Sequence, residues 1–325
     1  MAETKPPLPS AIQDAMRIAD MQRLGGEYIG AGGTGAVFLI NGAAVKVAYN
    51  EDYCVKIQHE KNVFERLGNC DRVIECFDLQ APGIRMTYMA NADLRQFLAR
   101  NRTLDFPPPT LQLSWFCQMA RALAAVHERR VLVADISARN FLVDKDLSIK
   151  LSDFSESSIL DIDCDIQTCD DKGYTIHTEI GQLGAVFYEV ITGDKCSFDL
   201  YKHQLHGASI AEFPLREDLP STQGLWLGHI IEKCWNKQYA TCHELSTALE
   251  SEELVREEKD RWDKAHIKEL VWPVRTCSLS AKLRAATEAL PQSRLLQILP
   301  VTSAIALGSS AVLSLLLLSF LRRKS

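Results

Sequence analysis

The chain lacks most of the signals that assign a protein to an exported, metal-stapled or nucleic-acid-binding class. Its N-terminus has no apolar signal segment, because Met1 to Ser10 is polar and proline-rich, so secretion is not indicated. Cysteine occurs ten times but never as Cys-x-x-Cys and never beside spaced histidines. The thiols therefore read as free in a reducing compartment rather than as disulfides or zinc ligands, and Cys164 and Cys169 are too isolated to support a metal site. Positive charge is in deficit: 36 basic against 42 acidic side chains give a net charge of −6, which makes no case for nucleic acid. Basic residues are missing altogether from Leu151 to Asp171, where Asp153, Glu156, Asp161, Asp163, Asp165, Asp170 and Asp171 fall. A solvated acidic loop accounts for that run, and docking of a basic substrate or partner is the sharper alternative. There are no internal repeats.

Glycine is concentrated where the chain begins to show chemistry. Gly30, Gly32 and Gly35 in Ile29-Gly30-Ala31-Gly32-Gly33-Thr34-Gly35-Ala36-Val37 have G-x-G-x-x-G spacing, which by itself fits a dinucleotide site equally well. A dinucleotide loop leads into a helix. Here a β-branched and aromatic run follows, reverses at Asn41-Gly42 and returns as Ala43-Ala44-Val45-Lys46-Val47-Ala48. Asn-Gly between two apolar runs predicts a β-hairpin. The glycines then let backbone N–H groups approach phosphates without Cβ obstruction. No Lys-Ser/Thr follows the last glycine, which excludes a Walker A loop.

Further along, in the stretch from Val133 through Asn140-Phe141-Leu142-Val143 to Leu151-Ser152-Asp153, the residues Asp135, Asn140 and Asp153 sit at the edges of apolar strand-like runs. Each alone is an ordinary turn former. Together they offer one carboxylate able to take a hydroxyl proton and two hard oxygen ligands of the type Mg²⁺ accepts.

In this order the pieces resemble the protein kinases. The match runs from about Arg23 to about Glu250, across the glycine-rich hairpin, the strand lysine, the catalytic loop and the metal-binding turn. The resemblance implies an α+β bilobal fold with a β-rich N-lobe and a helical C-lobe, taking ATP and Mg²⁺ and acting on a protein hydroxyl. Lys46 would pair the α/β-phosphates and Glu60 would orient it, with Glu65 as rival on the helix marked by Val63, Phe64 and Leu67. Asp135 would be the base, and Asn140 and Asp153 the metal ligands. Ile29, Gly30, Gly32, Gly33, Gly35 and Val37 would line the nucleotide. Met86 would be the gatekeeper, and Thr87 to Met89 would present backbone groups to the adenine edge. Leu113, Phe116, Ala120, Leu123 and His127 recur with helical period, and Glu179 to Gly193 resembles the central C-lobe helix, closed by glycine. Trp226, Ile230, Ile231, Cys234 and Trp235 resemble a late helix carrying a Cys-Trp pair.

Several positions depart from the family pattern. Val133-Ala134 replaces His-Arg before Asp135, so no arginine stands there to receive an activation-loop phosphate. Serine replaces glycine in Asp153-Phe154-Ser155, Glu179 replaces an aspartate, and no Ala-Pro-Glu is evident. Ser137 stands where serine/threonine kinases carry lysine, and Arg139 where tyrosine kinases often carry arginine, so Ser/Thr and Tyr acceptors both stay open. A membrane-tethered pseudokinase that docks partners, and a small-molecule kinase on the same fold, are the alternatives.

Beyond the kinase-like region the composition changes. Ser251 to His266 is charged and helical in pattern, and Ile267 to Leu299 reads as a linker with Pro273 and Pro291. Pro300 to Leu321 has no charged residue; as a helix its 22 residues reach about 33 Å, enough for a bilayer core of about 30 Å. Arg322, Arg323 and Lys324 follow it. The expectation is a tail anchor through residues 300–321 in the lipid bilayer, in endoplasmic reticulum or mitochondrial outer membrane, with the catalytic domain in the cytosol. The predicted organisation is an N-terminal extension (1–23), a kinase domain (24–250; N-lobe 24–89, C-lobe 90–250), a charged helix and linker (251–299), the transmembrane helix (300–321) and a basic tail (322–325).

Overall fold

The Asn41-Gly42 turn organises the N-terminal half. In the computed structural model, which describes residues 18–79, 83–103, 106–205, 207 and 209–255, both turn residues have positive φ, 49° and 78°. That is the hairpin geometry an Asn-Gly pair favours. It sets β2 (Gly35–Ile40) against β3 (Ala43–Ala48) with Ile40 opposite Ala43 and Gly35 opposite Ala48. At Gly35 a Cβ would lie 2.2 Å from the Val47 carbonyl oxygen, so only glycine fits where the loop meets the sheet. β1 (Glu27–Ala31), β4 (Cys76–Asp78) and β5 (Ile84–Thr87) complete an antiparallel sheet of order β1-β2-β3-β5-β4.

The two-residue period of β3 places its lysine. Val45 and Val47 join Met21, Ala36 and Phe38 in a small core on one face. Ala44 and Ala48 belong to the main core on the other, and Lys46 shares their side. Met21 comes from α1 (Ile18–Arg23) and is fully buried, so this part of the expected N-terminal extension packs as part of the N-lobe.

α2 (Glu51–Leu67) lies against β3. Asn50 caps it, its side chain accepting from the Asp52 N–H at 3.0 Å, and Cys54, Ile57, Val63, Phe64 and Leu67 form its buried stripe.

The C-terminal half is helical: α3 (Leu94–Asn101), α4 (Pro109–Glu128), α5 (Ile176–Thr192), α6 (Gly228–Trp235) and a helix over 242–255. Asp93 caps α3 through the Gln96 N–H, Thr175 and Thr178 form a reciprocal cap on α5, and Gly193 ends α5 at φ 87°. Phe116 of α4 stacks on Phe187 of α5 with centroids 4.2 Å apart. Gly184 lets α6 approach so closely that a Cβ there would sit 2.9 Å from Cys234 Cβ. Between α4 and α5 run two short antiparallel pairs, β6 (Val131–Leu132) with β9 (Ser158–Ile159) and β7 (Phe141–Val143) with β8 (Ile149–Leu151).

A β-rich N-lobe and a helical C-lobe are the bilobal fold expected. No helix among the described residues is long and apolar enough to cross a membrane. The expectations for residues 1–17, for the linker from Ile267 to Leu299, for the span at residues 300–321 and for the basic tail at 322–325 all fall outside them.

Candidate active site

Lys46 is 4% exposed and its ammonium is held from two sides. Nζ donates to Glu60 Oε2 at 2.7 Å and to Asp153 Oδ1 at 2.9 Å, so one cation joins strand β3, helix α2 and the turn after β8. Burial alone lowers the amine's pKa, but the two facing carboxylates outweigh it and hold Lys46 above its ordinary value. Glu60 is pushed up, because burial and the neighbouring Asp153 charge outweigh the attraction of Lys46. Asp153, despite burial, is held below the ordinary carboxylate range by Lys46 and by the Ser155 N–H. Glu60, not Glu65, makes the pair: Glu65 is exposed on the outer side of α2. The other Glu60 oxygen accepts from the Phe154 N–H at 3.2 Å, while Phe154 meets Phe64 edge-to-face at 5.3 Å. Helix α2 and the Asp153 turn are thereby fixed to each other.

Asp135 and Asn140 face the same region from the C-lobe. Asn140 gives its amide hydrogens to the Asp135 backbone oxygen at 2.8 Å and to Oδ2 at 3.1 Å, and the N–H of Ser152 bonds the Asn140 carbonyl at 2.8 Å. That last bond ties the Asp153 turn to the catalytic loop. Lys46 and Ser155 occupy Oδ1 of Asp153, and Asn140 turns its nitrogen toward Asp135. One oxygen of each residue is left over. Two hard oxygens without a soft donor suit Mg²⁺. The Asp135 carboxylate is 42% exposed, open to an incoming hydroxyl, with Arg139 Nη2 3.6 Å away.

The residues expected to meet the nucleotide lie on or beside β1, β2 and β5. Gly30 and Val37 pair across β1 and β2. Ile29 lies in the bulge beside them, and Gly33 is exposed at the loop tip. Met86 is buried opposite Ala44. Thr87 gives its N–H to the Glu75 carbonyl at 3.0 Å, and the Met89 carbonyl accepts from Ala92. Those two backbone groups are therefore engaged within the protein, and the Thr87 carbonyl and Met89 N–H are the groups of this stretch proposed to meet an adenine edge.

One buried arrangement was not foreseen. Glu179, fully buried at the start of α5, accepts from the Ala134 N–H at 2.7 Å through one oxygen and contacts His127 Nε2 at 2.7 Å through the other. Ala134 has φ 66°, strained for a residue with a Cβ, and Glu179 fixes it immediately before Asp135. His127 on α4 and Glu179 on α5 were each legible as helix positions. Their meeting depends on how two helices pack, for which 52 residues of separation give no local signal.

The family described as "Protein tyrosine and serine/threonine kinase" matches residues 41–251. A probable serine/threonine-protein kinase of Clostridium acetobutylicum is 26% identical over 259 residues, covering 69% of this chain and 38% of the relative. Serine/threonine-protein kinase Nek5 of Homo sapiens is 28% identical over 147 residues, 41% of this chain and 20% of that protein. The tyrosine-protein kinase transforming protein RYK of avian retrovirus RPL30 is 23% identical over 215 residues, 59% and 47%. The chain thus spans less than half the length of each of these relatives. The family match takes in Lys46, Glu60, Asp135, Asn140 and Asp153 and covers well over half of the sequence. The chain belongs to the protein tyrosine and serine/threonine kinase family.

Proposed function

We propose that this protein transfers the γ-phosphoryl group of ATP to the hydroxyl of a protein substrate. The observation that carries this is the Lys46 ammonium held at 2.7 and 2.9 Å between Glu60 and Asp153, an arrangement that costs desolvation and gives a packed core nothing. A bound magnesium nucleotide supplies the phosphoryl group and neutralises the charge that develops on it. The chain's own residues do the positioning. Lys46 holds phosphate oxygens, Glu60 keeps Lys46 in place, and Asn140 and Asp153 offer their remaining oxygens to the metal. Asp135, kept in position by Asn140, takes the proton from the acceptor hydroxyl. A scaffold without catalysis is the weaker alternative, because all five chemical positions are present, three bonded through Lys46 and two through Asn140.

The substrate is proposed to carry a basic residue near its acceptor. A cavity of about 370 Å³ beside Asp135 is lined by Glu156 and Asp199 together with Tyr174, Tyr201 and Phe198, and by no lysine or arginine. Lys56 and Arg139 reach Glu156 and Asp135 only from outside that lining. A membrane span at residues 300–321 is also proposed, supported by the charge-free run and the basic residues after it.

The test is label transfer from γ-labelled ATP to peptides with Ser, Thr or Tyr acceptors flanked by Lys/Arg, neutral or Glu residues. Labelled peptide, with basic flanks preferred and with none formed by Asp135→Asn, is expected. Label on water or small molecules alone would refute protein transfer.

A further inference from the structure

Tyr49, the first residue after β3, stands outside the groups so far assigned. Its hydroxyl donates to the Gly32 carbonyl at 2.8 Å, across the top of the glycine-rich turn. The turn is closed on itself by the Gly32 N–H bonding the Gly35 carbonyl at 2.9 Å. It lies low: a Cβ built on Gly32 would be 3.3 Å from Asp153 Oδ2. Gly32 itself has no Cβ, so its Cα lies within about 4.8 Å of that oxygen; an oxygen–metal–oxygen bridge alone spans about 4 Å, which leaves no room for a phosphate between them as well. Beneath the turn, Thr34 is 4% exposed and its hydroxyl has no partner. A buried hydroxyl without a partner is unfavourable, so the lowered turn carries a defect that raising it relieves. Tyr49 also meets Tyr53, in the first turn of α2, edge-to-face at 5.7 Å. Its ring is thereby oriented from the same helix that supplies Glu60.

We propose that Tyr49 is a positioning residue that latches the glycine-rich turn down over Asp153, and that nucleotide binds by lifting the turn off this latch. The proposal rests on the nucleotide-binding reading of the site. Lowered and raised turns form a two-state element, and the apparent Kd is the intrinsic Kd divided by the raised fraction. The latch bond favours the lowered state, and the unpartnered Thr34 hydroxyl opposes it. Removing each group therefore moves nucleotide affinity in opposite directions. Tyr49→Phe keeps the ring and deletes the bond, raising the competent fraction. Thr34→Val keeps the shape and deletes the buried hydroxyl, lowering it.

The measurement is calorimetric titration of the full-length protein with MgATP, alongside amide hydrogen exchange over residues 31–35. Tyr49→Phe is expected to tighten MgATP by about two- to tenfold, the range for one neutral hydrogen bond, and to speed exchange in the turn. Thr34→Val is expected to weaken MgATP and to slow that exchange. A merely structural role for both residues would weaken binding in both variants and lower both melting temperatures. That pattern, or unchanged affinity in Tyr49→Phe, overturns the latch while leaving the nucleotide site intact. Failure of the wild-type protein to bind MgATP overturns the site and the latch together.

Discussion

Lys46 shows how differently two substitutions at one ion network should behave. Lys46→Met removes the cation paired with Glu60, which is 1% exposed, and leaves that carboxylate buried without it. Such a loss costs about 3–5 kcal/mol, so this variant is expected to lose transfer and also to melt several degrees lower by calorimetry. Asp153→Asn keeps the shape of a side chain that is 28% exposed, and should lose transfer with little change in melting temperature. The same network sets the acid side of the pH profile. Glu60 is raised above its ordinary 4.5 by burial, while Asp153 is held below its ordinary 3.8. As pH falls, Glu60 therefore protonates first and releases Lys46, so the acid limb of kcat/KM should begin above 4.5. Glu60→Gln should show a lower plateau and no limb in that range; an unchanged limb would assign it to another group. The residues of this network were legible in the sequence because their spacing is fixed by family chemistry. The bonds made by Glu179 and Tyr49 were not, since a buried carboxylate bonded to a backbone N–H and a hydroxyl bonded to a glycine carbonyl leave no periodic trace.

Helix α2 is the element on which the site depends, and its outer side holds the segment after Asp153. Lys56 Nζ reaches Glu156 at 3.2 Å, the His59 imidazole N–H donates to the Ser157 carbonyl at 2.6 Å, and Arg66 donates to the Leu160 carbonyl at 3.1 Å. Arg130 adds a bond to the Cys164 carbonyl at 2.8 Å. These contacts order the segment without a phosphate. Ser157 itself is buried, its hydroxyl turned to the Val133 carbonyl. Phosphatase treatment is therefore expected to leave kcat/KM within about twofold, since the bonds in place match in kind what a phosphate would create; a large loss would show that a modified residue holds the segment instead. On the C-lobe side, Glu179→Ala strips partners from the Ala134 N–H and His127, and should cost about 1–3 kcal/mol for each group left unsatisfied, read as a lower urea midpoint. Two element ends were legible by local backbone chemistry: Asn41-Gly42 gave the hairpin and Gly193 a helix stop. The packing of α1 onto the sheet was not, because six residues carry too little periodicity to distinguish a packed helix from an extension.

The whole molecule joins a kinase fold to a C-terminal region that the described residues do not reach. The proposed span at residues 300–321 makes a separate prediction. Truncation after Leu299 should move the protein from the membrane to the soluble fraction. Leu315→Arg with Leu317→Arg should weaken retention, each central arginine costing about 2.5–3.5 kcal/mol on an insertion scale. Full-length protein that floats free of membranes would remove the span. The fold class was legible because glycine loop, strand lysine, catalytic loop and metal turn occur in one order along one chain. Contacts between distant segments were not, and these decide how the site opens and what it admits. Phosphoryl transfer is assigned to Lys46, Glu60 and Asp153 on one side and to Asp135 and Asn140 on the other. That assignment is tested most directly by incubating purified full-length protein with γ-labelled ATP, Mg²⁺ and a mixed peptide library, beside Asp153→Asn. Label on peptide hydroxyls with the wild-type protein, and none above background with a folded Asp153→Asn, is the predicted result. Equal labelling by both proteins, or none by a wild-type protein that binds MgATP, would contradict it.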